Sequence, residues 1–389
     1  MWGGGAVGLG LVVALATGAP AADPPFAALA REHVGAGQGV YVEAEDGTVL
    51  AAEAADQPVH PASVTKIATS LALLERLGPD HRFTTRLIAR GPVADGHVRG
   101  DLVVDADDDP FFVYESAFLL LRRLGALGVR VVDGRLVVRG RLLFNWQPDP
   151  DGARLVRTLR GADGAKVWAA VGDSEPLARV ALRFGLADVD SHATETTLVT
   201  MRSPPLLHVL KALAGYSNNV FHFASDAIGG PPVVQEVARA HVPPPLRDEI
   251  VIENGAGAGT ANRLSPRAAV ALLRALVRML DTTHHGPTDL LPVSGVDPGT
   301  LEERLLDRRR FVVGKTGTFG SVGASALAGL LRTPRYGTVA FAVLNHGVPV
   351  PAARARQDAF VRALIAATDA EPWPYDTAVR PAYSEALVE

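Results

Sequence analysis

The stretch Pro61-Ala62-Ser63-Val64-Thr65-Lys66 stands between a strand pair and an apolar helical run, and the rest of the chain can be read outward from it. Downstream, Ile67, Leu71 and Leu74 recur at helical spacing, and Gly78-Pro79 stops the helix. Ser63 therefore falls in the first turn, where free backbone N–H groups and the helix dipole favour developing negative charge. Lys66 is one turn on, so its amine shares a face with the Ser63 hydroxyl. A serine hydroxyl is a poor nucleophile until a base takes its proton. Lys66 can be that base if burial and a nearby positive charge lower its pKa, and Lys315 is a candidate for that charge.

Two further segments complete the constellation: Ser217-Asn218-Asn219, and Lys315-Thr316-Gly317 followed by Thr318. Ser217 to Asn219 reads as a turn between two helices, from which the Ser217 hydroxyl and the Asn219 amide can reach one cleft. Lys315 to Thr318 reads as a strand. Gly317 is expected to keep that strand edge free of bulk, so that a substrate backbone can lie along it. The backbone N–H groups of Ser63 and Thr318 are the natural oxyanion-hole pair.

Lysine usage points the same way. Of the 38 basic residues only Lys66, Lys166, Lys211 and Lys315 are lysine, and two of these four fall inside the motifs. Arginine cannot give up its proton near neutral pH, so a base at position 66 must be lysine. Lys166 has no motif around it, and Lys211 reads as a solvated or salt-bridged side chain.

The organisation is that of an α+β chain. Val40 to Glu45 and Thr48 to Glu53 flank Asp46-Gly47, a hairpin signal. Strand-like runs at Thr84 to Ala89, Leu102 to Asp105 and Arg135 to Val138 surround a helical Ser116 to Leu127. Helices are expected over Leu206 to Leu213, Val220 to Ile228, Pro266 to Leu280 and Ala353 to Ala367. Three strands are expected over Phe311 to Thr318, Ala324 to Leu331 and Thr338 to Leu344. Strands near both ends with helices between them imply one sheet that joins the two termini. The expected division is a catalytic unit from 22–80 and 199–389, with 81–198 inserted. The Pro-bearing tail from Glu371 to Glu389 is left without structure.

With 389 residues, 48% hydrophobic and 21% charged, the chain is globular, not disordered. A net charge of −4 without a basic stripe gives no reason to expect nucleic acid. The absence of cysteine excludes disulfides and thiolate chemistry. Residues 1–21 read as a signal peptide, with an apolar run from Ala6 to Ala16 and the small-x-small site Ala19-Pro20-Ala21. Export, periplasmic or otherwise, is the expectation. No segment is long enough for a permanent membrane span.

The trio of motifs in this order resembles that of β-lactamases and penicillin-binding proteins. The wider match is similar to the class C low-molecular-mass penicillin-binding proteins, the D-Ala-D-Ala carboxypeptidase/endopeptidase family. It rests on Leu74-Glu75-Arg76-Leu77-Gly78-Pro79, Phe83-Thr84-Thr85-Arg86, Gly100-Asp101-Leu102, Asp109-Pro110 and Arg202-Ser203-Pro204-Pro205-Leu206. Asn262-Arg263-Leu264-Ser265-Pro266, Leu291-Pro292-Val293-Ser294-Gly295, Gly299-Thr300-Leu301 and Gly314 to Thr318 extend it. The resemblance implies a penicillin-recognising serine transpeptidase/β-lactamase-like fold, an antiparallel sheet joining both termini plus a helical subdomain, with a reduced inserted domain. It implies a serine-type D-Ala-D-Ala carboxypeptidase/endopeptidase acting on peptidoglycan peptides through a Ser63 acyl-enzyme, inhibited by β-lactams, with no cofactor and no metal. Carried over by motif, Ser63 is the nucleophile and Lys66 its base. Ser217 relays a proton to the leaving group, Asn219 holds the substrate amide, and Lys315 and Thr316 bind the terminal carboxylate beside Thr318. A serine β-lactamase and a non-turnover penicillin or cell-wall-peptide binder are the alternatives.

Three departures from the family pattern stand out. Asn254-Gly255-Ala256-Gly257-Ala258-Gly259-Thr260 replaces an Asp-Gly-Ser-Gly-Leu-Ser-Arg run, the gap from Ser63 to Ser217 is short, and Asp105-Ala106-Asp107-Asp108-Asp109 replaces a Gly-rich turn. The acidic run lacks the spacing of a calcium loop and reads as a solvated turn. His284-His285 reads as a surface loop. His60 reads as a capping or packing residue that can also line the cleft.

Overall fold

The computed structural model describes residues 24–171, 182–185, 193–216, 219–375 and 382–389. The signal-peptide reading, and the Ser217 and Asn218 side chains, lie outside these residues.

A five-stranded antiparallel sheet carries the fold. Its order is Val313–Phe319, Ala324–Thr333, Gly337–Asn345, Gly39–Glu43, Val49–Glu53, so the two ends of the chain meet at the pairing of Gly39 to Glu43 with Leu344 to Ala340. The hairpin closes at Asp46-Gly47, where Asp46 Oδ1 accepts the Thr48 N–H at 2.9 Å. Period-two alternation sorts the central strand between two cores. Ala340, Ala342 and Leu344 face one buried cluster, while Val339, Phe341 and Val343 face the other. The first cluster is covered by helices Lys66–Leu77, Leu206–Ala214, Val220–Asp226, Pro231–Ala240 and Pro266–Thr282; the second by Ala27–His33 and Val350–Ala367. Pro266–Thr282 starts where expected: Ser265 caps it by accepting the Ala268 N–H at 3.0 Å, and Pro266 occupies the first turn, where no N–H is needed.

A second sheet has its own buried cluster. Glu195–Arg202, Thr84–Arg90 and Asp101–Asp107 pair antiparallel, and Leu136–Arg141 adds parallel to Asp101–Asp107. Helix Tyr114–Ala126 packs on it through Ala117, Leu120, Leu121 and Leu124. The strand Glu195–Arg202 runs through position 198, the expected end of the insertion.

Two expectations are corrected. The tail is structured where described: Trp373 N–H donates to Arg310 O at 2.7 Å, and Leu387–Val388 pairs with Met201 and Arg202. Its prolines and its brevity hide the pattern, because a two-residue strand carries no readable period. The acidic run is not a solvated turn. Asp101–Asp107 is strand, and Asp109 is 3% exposed. Burial pushes the Asp109 carboxyl up to about 7, although it accepts the Phe111 N–H at 2.8 Å. His284 does lie on an exposed loop, with φ 60°. Among the described residues no cluster of His, Asp and Glu is placed to hold a metal ion, and no helix is long and apolar enough to cross a membrane.

Candidate active site

Ser63 sits on a 3₁₀ turn, Ala62–Thr65, that leads directly into helix Lys66–Leu77. The turn is built under constraint. Ala62 takes φ 47°, a region that non-glycine residues rarely occupy. His60 fixes the entry: its Nδ1 accepts the Ala62 N–H at 3.2 Å, its Nε2 lies 2.9 Å from Gly259 O, and its ring stacks on Phe319 at 4.6 Å. Thr65 closes the turn with a 2.9 Å bond from its hydroxyl to Ala62 O. His60 is therefore a capping and packing residue.

The Nζ of Lys66 lies 2.8 Å from Ser63 Oγ and 2.9 Å from the carbonyl oxygen of Ala256. The side chain is 2% exposed and stands 5.6 Å over the Phe221 ring. Burial, reinforced by the charge of Lys315, holds the Lys66 amine well below the usual lysine range. A neutral amine at this distance has a lone pair to offer the Ser63 hydroxyl proton. Its remaining hydrogens are directed by Ala256 O.

The third motif approaches from the edge strand of the main sheet. Lys315 is 1% exposed, its Nζ donates to Thr316 O at 3.1 Å, and burial pulls its pKa down to about 7. The Thr316 hydroxyl meets that of Thr300 at 2.5 Å, and Thr300 also donates to Gly215 O, through its backbone at 2.9 Å and its hydroxyl at 3.3 Å. Thr300 thus links the strand of the third motif to the residue two positions before Ser217. The Thr318 hydroxyl accepts from Arg354 at 3.0 Å. Asn219 is exposed at the start of helix Val220–Asp226, and its Oδ1 accepts from Asn254 Nδ2 at 3.4 Å.

Gly317 is needed for close packing inside the site. A Cβ there would come within 2.7 Å of Pro61 O and 2.9 Å of Ser63 N. Its bareness lets the strand touch the turn that carries Ser63 and keeps side-chain bulk away from the Ser63 N–H.

The structure gathers Ser63, Lys66, Lys315 and the Asn254 to Thr260 segment in one place, with Asn219 at its edge through Asn254. Lys166 lies exposed on the short helix Ala165–Val171, and Lys211 is paired with Asp297 at 2.5 Å, as its salt-bridged reading expected. Sequence reasoning missed Ala256, Thr300 and Arg354. Ala256 acts through its backbone, which no residue type announces.

A serine hydroxyl held against a desolvated lysine, at the seam between an antiparallel sheet and a helical layer, marks the penicillin-recognising serine acyl-transfer enzymes. The model of the D-Ala-D-Ala carboxypeptidase 3 (S13) family matches residues 27–145 and 180–367. Carboxypeptidase DacB of Mycolicibacterium smegmatis is 27% identical over 390 residues, covering 87% of this chain and 82% of that protein. Among solved structures, the Bd0816 predatory endopeptidase of Bdellovibrio bacteriovorus, bound to immunity protein Bd3460, superposes with a TM-score of 0.74 at 21% identity over 90% of this chain and 99% of that one. Penicillin binding protein 4 (dacB) of Haemophilus influenzae, complexed with a β-lactam, gives 0.63 at 16% identity over 86% and 98%. The chain belongs to the D-Ala-D-Ala carboxypeptidase 3 (S13) family, and its activity is that of a serine-type D-Ala-D-Ala carboxypeptidase.

Proposed function

We propose that the chain cleaves D-Ala-D-Ala-type bonds in peptidoglycan peptides, as carboxypeptidase and endopeptidase, through an acyl-enzyme on Ser63. The observation that carries this reading is the 2.8 Å approach of Lys66 Nζ to Ser63 Oγ in a buried site. Lys66 takes the Ser63 proton as Oγ attacks the carbonyl carbon of the penultimate D-alanine. The backbone N–H groups of Ser63 and Thr318 receive the developing oxyanion. Collapse breaks the C–N bond, and Ser217 passes a proton to the departing amine. Water then attacks the ester and returns Ser63 to its hydroxyl form. Asn219 holds the substrate amide, while Lys315 and Thr316, beside Thr318, receive the terminal carboxylate. β-Lactams enter the same path because their strained amide and carboxylate occupy corresponding places. We assign the catalytic chemistry to 22–80 with 199–389 and treat 81–198 as an insertion, whose last strand, Glu195–Arg202, runs past that boundary. The buried cluster that the second sheet forms with its own helix supports the insertion. Cell-wall substrates require export, in line with the apolar run and cleavage site within residues 1–21.

The test is release of D-alanine from a peptide ending in D-Ala-D-Ala. The expected result is steady release by the native chain and none by Ser63→Ala with an unchanged melting temperature. Continued release by Ser63→Ala would overturn the assignment.

A further inference from the structure

We propose that Arg354 is a second carboxylate-binding residue, receiving the substrate's terminal carboxylate together with Thr318 at the rim of the site. The inference rests on the reading of the third motif as the carboxylate pocket.

Four observations lead to it. First, Arg354 lies on the C-terminal helix Val350–Ala367, yet its guanidinium donates to the Thr318 hydroxyl at 3.0 Å. Second, the helix is locked in register with the strand edge. Gln357, one turn from Arg354, is fully buried and donates to Ser325 Oγ at 3.1 Å and Asn345 Oδ1 at 2.9 Å. Ser325 is the cross-strand partner of Thr318. The helix that carries Arg354 is thus fixed against the strand pair that carries Thr318.

Third, the acidic side chain that an exposed helical arginine would ordinarily use is already taken. Asp358 is four residues on, the spacing that supports a helix-surface ion pair. It pairs with Arg304 instead, whose Nε lies 2.9 Å from Asp358 Oδ1 and whose Nη2 lies 3.1 Å from Gln357 Oε1. Among the described residues no carboxylate pairs with Arg354. An exposed, partly ordered cation beside a motif hydroxyl is left available for an incoming anion.

Fourth, burial weakens the positive charge that Lys315 can offer. Lys315 is wholly buried, with its amine pulled down to about 7 by desolvation. A guanidinium stays charged throughout the physiological range and presents two parallel N–H groups to a carboxylate. Lys315 at the floor and Arg354 at the rim would then divide the work, Lys315 acting deep in the site and Arg354 supplying constant charge at its mouth.

The experiment compares acylation rate constants for a penicillin as free acid and as methyl ester. The proteins are the native chain, Arg354→Ala, Arg354→Lys and Arg122→Ala. The last removes an exposed positive charge from the helix Tyr114–Ala126 of the second sheet and controls for net charge. Arg354→Ala should slow the acid by about three- to tenfold and leave the ester within about twofold. Arg354→Lys should recover part of the loss, and Arg122→Ala should change neither. Equal acid rates in Arg354→Ala and the native chain would overturn the proposal, as would equal losses for acid and ester. If the native chain is not acylated at all, the fault lies with the Ser63 assignment instead.

Discussion

The carbonyl oxygen of Ala256 lies 2.9 Å from the amine of Lys66. This contact comes from the segment that departs most from the family pattern, Asn254 to Thr260. A backbone acceptor does not depend on the side chains that were lost. Asn254 holds the loop in shape, its Oδ1 accepting the Ala256 N–H at 2.9 Å and the Ala258 N–H at 3.1 Å. The buried Asn262 ties the start of the loop to Thr65: its Oδ1 accepts the Glu253 N–H at 2.9 Å and its Nδ2 donates to Thr65 Oγ1 at 3.3 Å. The altered stretch therefore still orients Lys66 toward Ser63.

Lys66→Arg should nearly abolish acylation by penicillin while leaving the fold intact, because a guanidinium cannot accept the Ser63 proton. Lys166→Arg, on an exposed helix outside the site, should be silent. Stopped-flow acylation rates check both. A Lys66→Arg protein that acylates at near-native rate would remove Lys66 as the base.

Gly257→Ala should damage both stability and chemistry. Gly257 has φ 83°, and a Cβ there would fall 1.9 Å from Ala62 O, in the turn that presents Ser63. Relief requires the loop to back away, which also withdraws Ala256 O from Lys66. A loss of about 2 kcal/mol or more in urea unfolding is expected, with slower acylation. Gly37→Ala is the comparison, since it also has positive φ, 72°, but nothing within 4 Å. Its cost should be confined to the backbone term, about 1 kcal/mol, with normal acylation. Equal effects of the two on acylation would contradict this account.

Lys315→Met should raise stability most at pH 6 to 7. Burial lowers the amine's pKa from 10.5 to about 7, so between those values the unfolded chain binds more protons than the folded one. Stability of the native protein then climbs with pH across that window. Below pH 7 the full cost of the buried charge is present. The variant should be more stable there by an amount on the order of a few kcal/mol, and its advantage should fade toward pH 10. A gap that does not change with pH would show that packing, not charge, separates the two proteins.

Asp297 anchors a network behind the second motif. Its Oδ2 takes Lys211 at 2.5 Å and the Val293 N–H at 2.8 Å, and its Oδ1 accepts the Tyr375 hydroxyl at 2.7 Å. Asp297→Ala would strand Lys211 in a largely buried place, at a cost of about 3–5 kcal/mol. Tyr375→Phe removes one hydrogen bond and should cost about 1 kcal/mol. Chemical denaturation distinguishes them; similar small losses would mean that water replaces the carboxylate at Lys211.

Much of this architecture is legible in the chain because its elements have clean periods. The hairpin around Asp46-Gly47, the strands from Val313 to Asn345 and the helix from Pro266 all follow from alternation, turn chemistry and capping. Ser63, Lys66 and Lys315 are legible as a group because their chemistry demands particular residue types. The rest depends on tertiary approach. Ala256 contributes a carbonyl that any residue would have. Arg354 reaches Thr318 from a helix far along the chain, and nothing local sets it apart from thirty-three other arginines. Gly317 was legible as a glycine that matters, but what it makes room for could be seen only once the Pro61 to Ser63 turn was in place.

The most direct test of the central claim is intact-mass spectrometry of the protein with a penicillin, followed by peptide mapping. The account predicts one covalent adduct on the peptide that contains Ser63, lasting minutes or longer, and no adduct in Ser63→Ala. No mass shift, or an adduct that maps elsewhere, would contradict it. An adduct that clears within seconds would leave Ser63 as nucleophile but identify the turnover as that of a β-lactamase.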